Sequence, residues 1–317
     1  MVVSTSFRRF FTTAISLLFL IALFPGAAGV CAADKAVSLG KYPALKIGFT
    51  SQNLVKWLPN SVANLKKVID FASEKGFSFI ELRDPNAGIA YDDAKAVAAY
   101  AREKKIEVIY AMGAGGLDSD YFEVFSRGMA NAMLFEGPRI VRTGANGKEM
   151  AADPKKQFWT AEEFARMVRN LNKAANTAKT FGYTLFVENA NEGLKGDGVN
   201  TFGTADLFGA KGVSANVGLQ LDMANFFCVS RVVSSPEEVR AFFEANVKKV
   251  GYSHLKTSIA RKPQTTLNGN ELPFDVFFPA LAREGKAYVA IELANPDTLE
   301  QAYGNHIKSV DYLRKNF

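Results

Sequence analysis

Four residues in the second half of this 317-residue chain could assemble around one cation. Glu188 closes the run Thr184-Leu185-Phe186-Val187, and Asp222 closes Gly218-Leu219-Gln220-Leu221. His254 stands near the end of Gly251-Tyr252-Ser253-His254-Leu255, and Glu292 follows Ala290-Ile291. The four are spaced by 34, 32 and 38 residues, each about the length of one strand–helix unit. Three carboxylates brought to one point repel one another unless a cation neutralises them. Three oxygen donors and one imidazole nitrogen suit Mn²⁺, Mg²⁺ or Co²⁺ better than a closed structural Zn²⁺ site. Mn²⁺ is the first expectation, and an open Zn²⁺ site is compatible with the same donors.

A second set of residues sits where a substrate would be held. Arg142 closes another apolar run, and Lys256 lies just past His254; either can bind substrate oxygens or an anion. Glu81, within the run at 78–82, and Arg83, just after it, are placed to do the same. Trp57 offers a ring face to a sugar. For each of these the plainer role, packing or an ion pair at a strand end, is about as frequent. His306 reads as a surface residue of the last helix. The run Gly113-Ala114-Gly115-Gly116 lacks the Lys-Ser/Thr of a phosphate-cradling loop and reads as a flexible turn.

The elements that must position these residues are short and regular. Apolar runs at 45–50, 78–82, 107–112, 139–143, 184–188, 218–222, 250–255 and 287–292 are five or six residues long and read as strands buried on both faces. Helical stretches lie between them. Val62-Leu65-Val68-Ile69-Ala72, Phe164-Met167-Val168-Leu171 and Val239-Phe242-Phe243-Val247 each mark one buried helix face. Thr160 with Glu163 has capping-box spacing, Ser235-Pro236 opens a helix, and Gly76 and Gly182 stand where helices end. Eight strands alternating with helices, no Gly-x-Gly-x-x-Gly turn after the first strand, and no internal linker predict one closed (β/α)8 barrel over 34–317. In such barrels the active site lies at the carboxyl ends of the strands, where all four candidate ligands fall.

The first 33 residues read as a leader. Arg8 and Arg9 precede an apolar run from Phe10 to Phe24, followed by Pro25, Gly26 and small residues up to Ala33. The pattern is that of a secretory signal peptide, and the run is short for a membrane span. Cleavage there predicts a periplasmic or secreted protein without a stable membrane span. Lipid attachment at Cys31 is a lesser alternative, disfavoured by the bulk of Val30. The mature chain keeps 36 basic and 32 acidic residues and one cysteine, Cys228, expected to be buried and inert. No internal disulfide is then available, and the mild, scattered charge argues against nucleic-acid binding.

The ordered strand ends resemble those of the xylose isomerase-like, sugar phosphate isomerase/epimerase-type TIM barrels. The resemblance rests on Gly76-Phe77-Ser78-Phe79-Ile80-Glu81-Leu82, Val187-Glu188-Asn189, Gly218-Leu219-Gln220-Leu221-Asp222-Met223-Ala224-Asn225, His254-Leu255-Lys256 and Ile291-Glu292. It implies that Glu188, Asp222, His254 and Glu292 bind the metal, and that Glu188 and Glu292 also move a proton through an enediolate. The sequence departs from the epimerase-like pattern in three places. Asn225, a candidate substrate contact, stands where many members have His, Ala260 where they have Arg, and Thr257 where they have Asp. With only 2 histidines the chain cannot build the trinuclear zinc site of the DNA-repair branch.

The resemblance implies a metal-dependent isomerase or epimerase on a small carbohydrate, non-phosphorylated if the chain is exported. A lyase or hydratase on keto-glycosides would use the same site. A carbohydrate-binding barrel without turnover is the non-enzymatic alternative, and the presence of both glutamates favours the enzyme. Many such barrels pair, which leaves room for a homodimer. The long connection at 257–271 is expected to serve either as a lid or as a partner contact.

Overall fold

Runs that are apolar on both faces can only be strands covered from both sides. All eight predicted runs are strands in the computed structural model, which describes residues 36–84, 88–148, 152–153, 155–209, 213–268 and 273–317. The predicted leader, with Cys31, and the last residues of the 257–271 connection lie outside the described residues.

The strands are β1 (Lys46–Thr50), β2 (Phe79–Asp84), β3 (Glu107–Gly115), β4 (Ile140–Gly144), β5 (Thr184–Glu188), β6 (Val217–Asp222), β7 (Val250–Leu255) and β8 (Tyr288–Ile291). Each pairs in parallel with its sequence neighbours, and β8 pairs with β1 to close the barrel. Around it run α1 (Val62–Glu74), α2 (Tyr91–Glu103), α3 (Tyr121–Ala132), α4 (Ala161–Thr180), α5 (Thr204–Gly209), α6 (Asn225–Cys228), α7 (Pro236–Asn246), α8 (Phe274–Arg283) and α9 (Leu299–Asn316). No helix among the described residues is long and apolar enough to cross a membrane.

The local signals act as expected. Thr160 and Ser235 form capping boxes with Glu163 and Glu238, satisfying N–H groups that the first turn of a helix leaves unpaired. Gly76 and Gly182 end α1 and α4 at φ 76° and 75°, backbone that a side chain would strain. Two short antiparallel strand pairs had no sequence signal of their own. Trp159–Thr160 pairs with Thr201–Phe202, tying together the loops after β4 and β5. Ser258–Ile259 pairs with Lys262–Pro263 inside the long connection after β7.

Residues two apart on a strand share a face, so the barrel interior is built in layers. At the bottom Lys46 Nζ lies 2.8 Å from Glu107 Oε1, with the Tyr288 hydroxyl donating to Glu107. Above it Phe79, Ile109, Phe186, Tyr252 and Ala290 form an apolar plug. Gly218 and Gly251 make room for the Phe186 ring, which a Cβ at either position would strike at 2.1 and 1.7 Å. Two residues beyond Phe79, Phe186, Tyr252 and Ala290 stand Glu81, Glu188, His254 and Glu292. The plug is thus the floor of the candidate site.

Candidate metal centre

Glu188 ends β5, Asp222 ends β6, His254 is the penultimate residue of β7, and Glu292 directly follows β8. Barrel closure brings these four buried residues together, with one donor atom from each lying within 4.8 Å of the others. His254 Nδ1 is 2.5 Å from Glu292 Oε2, 3.0 Å from Glu188 Oε1 and 3.7 Å from Asp222 Oδ2. Buried His254 Nδ1, Asp222 Oδ2 and Glu292 Oε2 make no hydrogen bond of good geometry, although the Lys256 ammonium stands against Asp222 Oδ2 as an ion pair. An unsatisfied buried polar atom costs about 1–3 kcal/mol, more when charged. One divalent cation among them would satisfy all three, and the donor set fits such an ion.

The imidazole is presented in the form a metal needs. Burial alone would raise the Glu81 carboxyl, but His254, Arg142 and the Tyr252 hydroxyl outweigh it and hold its pKa down at about 2. An ionised Glu81 only accepts, so His254 Nε2–H donates to Glu81 Oε2 at 2.8 Å. Tyr252 and Thr50 donate to the same carboxylate. The Nδ1 lone pair is thereby turned to the other three ligands. Burial disfavours a charged His254, yet Glu81 and Glu292 raise its pKa well above the usual range when carboxylates alone surround it. A cation among those carboxylates reverses that balance.

Glu188 and Glu292 are each held by one oxygen, and Asp222 by both. Arg142 Nη2 contacts Glu188 Oε2, while its Nε donates to Gln220 Oε1 at 2.7 Å. Lys256 Nζ lies 3.3 Å from Glu292 Oε1 and 2.8 Å from Asp222 Oδ2, and donates to Asn225 Oδ1 at 3.0 Å. Burial opposes the Lys256 charge, but Asp222 and Glu292 raise its pKa and keep it cationic. Asp222 is further clamped by its backbone, which exchanges two hydrogen bonds with the Asn189 side chain, and its Oδ1 accepts from the Asn225 N–H.

Beside Glu188 lies a cavity of about 230 Å³, lined by Arg83, Arg142, Glu188, Asn146, the end of β3 at 112–115 and the segment 144–148. The run at 113–116, read from sequence as a flexible turn, is a correction: Gly113–Gly115 extend strand β3. Buried Glu192 supports that wall by accepting from Asn146 Nδ2 and Thr204 Oγ1. Burial raises its pKa.

The structure thus brings Glu188, Asp222, His254 and Glu292 together, with Arg142 and Lys256 attached to them. Glu81 is buried behind the imidazole rather than on the cavity, because a carboxylate there is needed to fix the ring. The polar groups of Asn225 are taken up by Asp222, Asn189 and Lys256. Trp57 is half-buried against the core, with the Lys56 ammonium 5.0 Å from its ring centroid, and is not among the residues lining the cavity. Cys228 is half-buried, and burial pushes its thiol up to about 11, an unreactive value. His306 is a correction: it is fully buried, packed edge-on to Phe49 and Phe71, because it lies on the inner face of α9.

Asn189, Gln220, Tyr252 and Thr50 received no role from sequence. Gln220 and Tyr252 carried a signal, since each lies two residues before a ligand on its strand and shares its face.

Several solved structures share the fold. The chain superposes on 3-keto-D-glucoside 4-epimerase from E. coli with a TM-score of 0.63 at 16% identity, covering 86% of this chain and 99% of that one. A xylose isomerase-like TIM barrel protein from Mycobacterium smegmatis, solved with magnesium, gives 0.62 at 17% identity, covering 86% and 97%. D-allulose 3-epimerase from Methylomonas sp., in complex with D-allulose, gives 0.63 at 14% identity, again covering 86% and 97%. Among curated proteins, no sequence matches the chain. The profile of the xylose isomerase-like TIM barrel family matches residues 69–316, and the chain belongs to that family.

Proposed function

We propose that the protein is an exported, divalent-metal-dependent isomerase or epimerase acting on a non-phosphorylated sugar or keto-sugar, with Mn²⁺ as the expected ion. One observation carries the reading. Glu188 and Glu292, from strands three apart in the ring, are each tethered by one oxygen and present the other to the same point. The names of the similar structures, two sugar epimerases and a magnesium-bound relative, support the same chemistry.

A divalent ion held by Glu188, Asp222, His254 and Glu292 would polarise a substrate carbonyl and acidify the neighbouring C–H. The chain's own residues then do the rest. One glutamate takes the proton from the substrate carbon and the other delivers one from its own side. Arg142 and Lys256 fix the two carboxylates so that neither swings away between steps. The Phe186 and Tyr252 rings close the barrel beneath the reacting atoms and exclude water from below.

The test is turnover of keto-sugars and ketohexoses in D₂O by the Mn²⁺-loaded protein. The reading expects solvent deuterium on the substrate carbon, and loss of turnover of at least a hundredfold in Glu188→Gln and Glu292→Gln. Product carrying no solvent deuterium, or full rates in both variants, would overturn it.

A further inference from the structure

Arg83 lies on β2 and lines the cavity beside Glu188. Its guanidinium makes no hydrogen bond among the described residues. Its one ion-pair contact there is Glu188 Oε2 at 4.0 Å, an oxygen that Arg142 already holds. The side chain is 29% exposed, so a five-donor planar fork is open to the cavity. Two other charged residues of the cavity lining, Asp118 and Lys148, are already engaged. Both oxygens of Asp118 accept backbone N–H groups, from Gly115 and Lys148, and the Lys148 ammonium is paired with Asp120 at 2.9 Å.

The charge balance at the site agrees with an open arginine. The carboxylates of Glu81, Glu188, Asp222 and Glu292 face the cations of Arg83, Arg142 and Lys256, one negative charge in excess. With a divalent ion bound and His254 neutral as its ligand, the same cluster carries one positive charge in excess. A low-dielectric site of that sign favours a guest with one negative charge.

The geometry points to a substrate bearing a single carboxylate, a sugar acid, with its acid group on Arg83 and its carbonyl and hydroxyl oxygens toward Glu188 and Glu292. This deepens the isomerase reading and rests on it. A carboxylate matches the fork in shape and the excess in charge. A phosphate would bring about −1.5 to −2 and overshoot it. At about 230 Å³ the cavity is smaller than most ligand pockets, which suits one monosaccharide unit.

Calorimetric binding to the full-length Mn²⁺-loaded protein tests this without relying on turnover. The probes are D-glucuronate, D-galacturonate and D-gluconate, each against its neutral counterpart, with D-glucose 6-phosphate as the phosphorylated arm. At least one acid should bind about tenfold or more tightly than its neutral partner and than the phosphate. In Arg83→Met that ratio should fall toward one at unchanged metal content, and Arg83→Lys should recover part of it. Equal binding of acid and neutral sugars, tighter binding of the phosphate, a ratio unmoved in Arg83→Met, or no binding of any acid would each overturn the inference. If the isomerase reading itself fails, the wild type takes up no Mn²⁺ or leaves no deuterium in its sugars. If only this inference fails, metal uptake and exchange stand and the acid preference alone is missing.

Discussion

Glu81 on β2 and His254 on β7 meet across the barrel at 2.8 Å, and this bond decides which face of the imidazole the other ligands see. Because the carboxylate stays ionised, the proton sits on Nε2 and the lone pair on Nδ1. Partners that fix a ligand histidine in this way typically contribute 10–100-fold to metal affinity. Glu81→Gln should therefore weaken Mn²⁺ binding by about that factor, measured by calorimetric titration, with the far-ultraviolet spectrum unchanged. Wild-type affinity in the variant would mean that the ring is held by packing alone.

The orphaned donor atoms predict a response to metal removal. Chelation leaves three buried carboxylates around one imidazole, so the chelated protein should melt lower than the loaded one. Mn²⁺ at about a hundredfold its dissociation constant adds about 2.7 kcal/mol by mass action, several degrees for a chain of this size. Asp222→Ala should show no such gain in a thermal melt with and without Mn²⁺. An equal gain in both proteins would place the ion elsewhere.

The barrel and the meeting of Glu188, Asp222, His254 and Glu292 at its mouth were legible in the sequence because both signals are local. A strand buried on two faces is apolar throughout, and a residue ending it lies at the mouth whatever the rest of the chain does. What supports the ligands was not legible. Tyr252 and His254 reach Glu81 across 171 and 173 residues, and no local pattern reports a contact between strands on opposite sides of a barrel. The two antiparallel pairs outside the barrel have two residues per strand, too short to show a period of two. His306 is different, since its signal was present. Ala302, His306, Ser309, Val310 and Leu313 are the buried positions of α9, at helical spacing, so periodicity alone places the imidazole inside.

Arg142 and Glu188 form a buried pair, and such pairs matter most when broken on one side. Arg142→Met should lower unfolding stability by about 3–5 kcal/mol in urea, because Glu188 loses its main cation and Gln220 its donor. Adding Glu188→Gln to that variant should restore part of the loss, since a neutral amide is cheaper to leave unpaired than a carboxylate. A double variant as unstable as the sum of the two single ones would mean that the groups do not interact.

His306 predicts an acid limb in stability. Burial among Phe49 and Phe71 pushes its pKa down to about 4, with only the Ala302 carbonyl, 2.8 Å from Nδ1, acting the other way. The unfolded chain takes up this proton near pH 6.5, so between about 6.5 and 4 the unfolded state binds more protons than the folded one. Stability from this group is thus complete above the unfolded value and falls by about 1.4 kcal/mol per pH unit through that window, roughly 3 kcal/mol in all. Glu81 titrates lower, its contribution being lost only as the pH falls from the ordinary carboxylate range toward about 2. His306→Phe keeps an aromatic ring in the cluster and removes the titration. Urea unfolding of both proteins at several pH values should show the variant losing less stability between neutrality and about pH 4, since the other groups titrate alike in the two proteins. Parallel curves would mean that the buried imidazole protonates in the folded state at no cost.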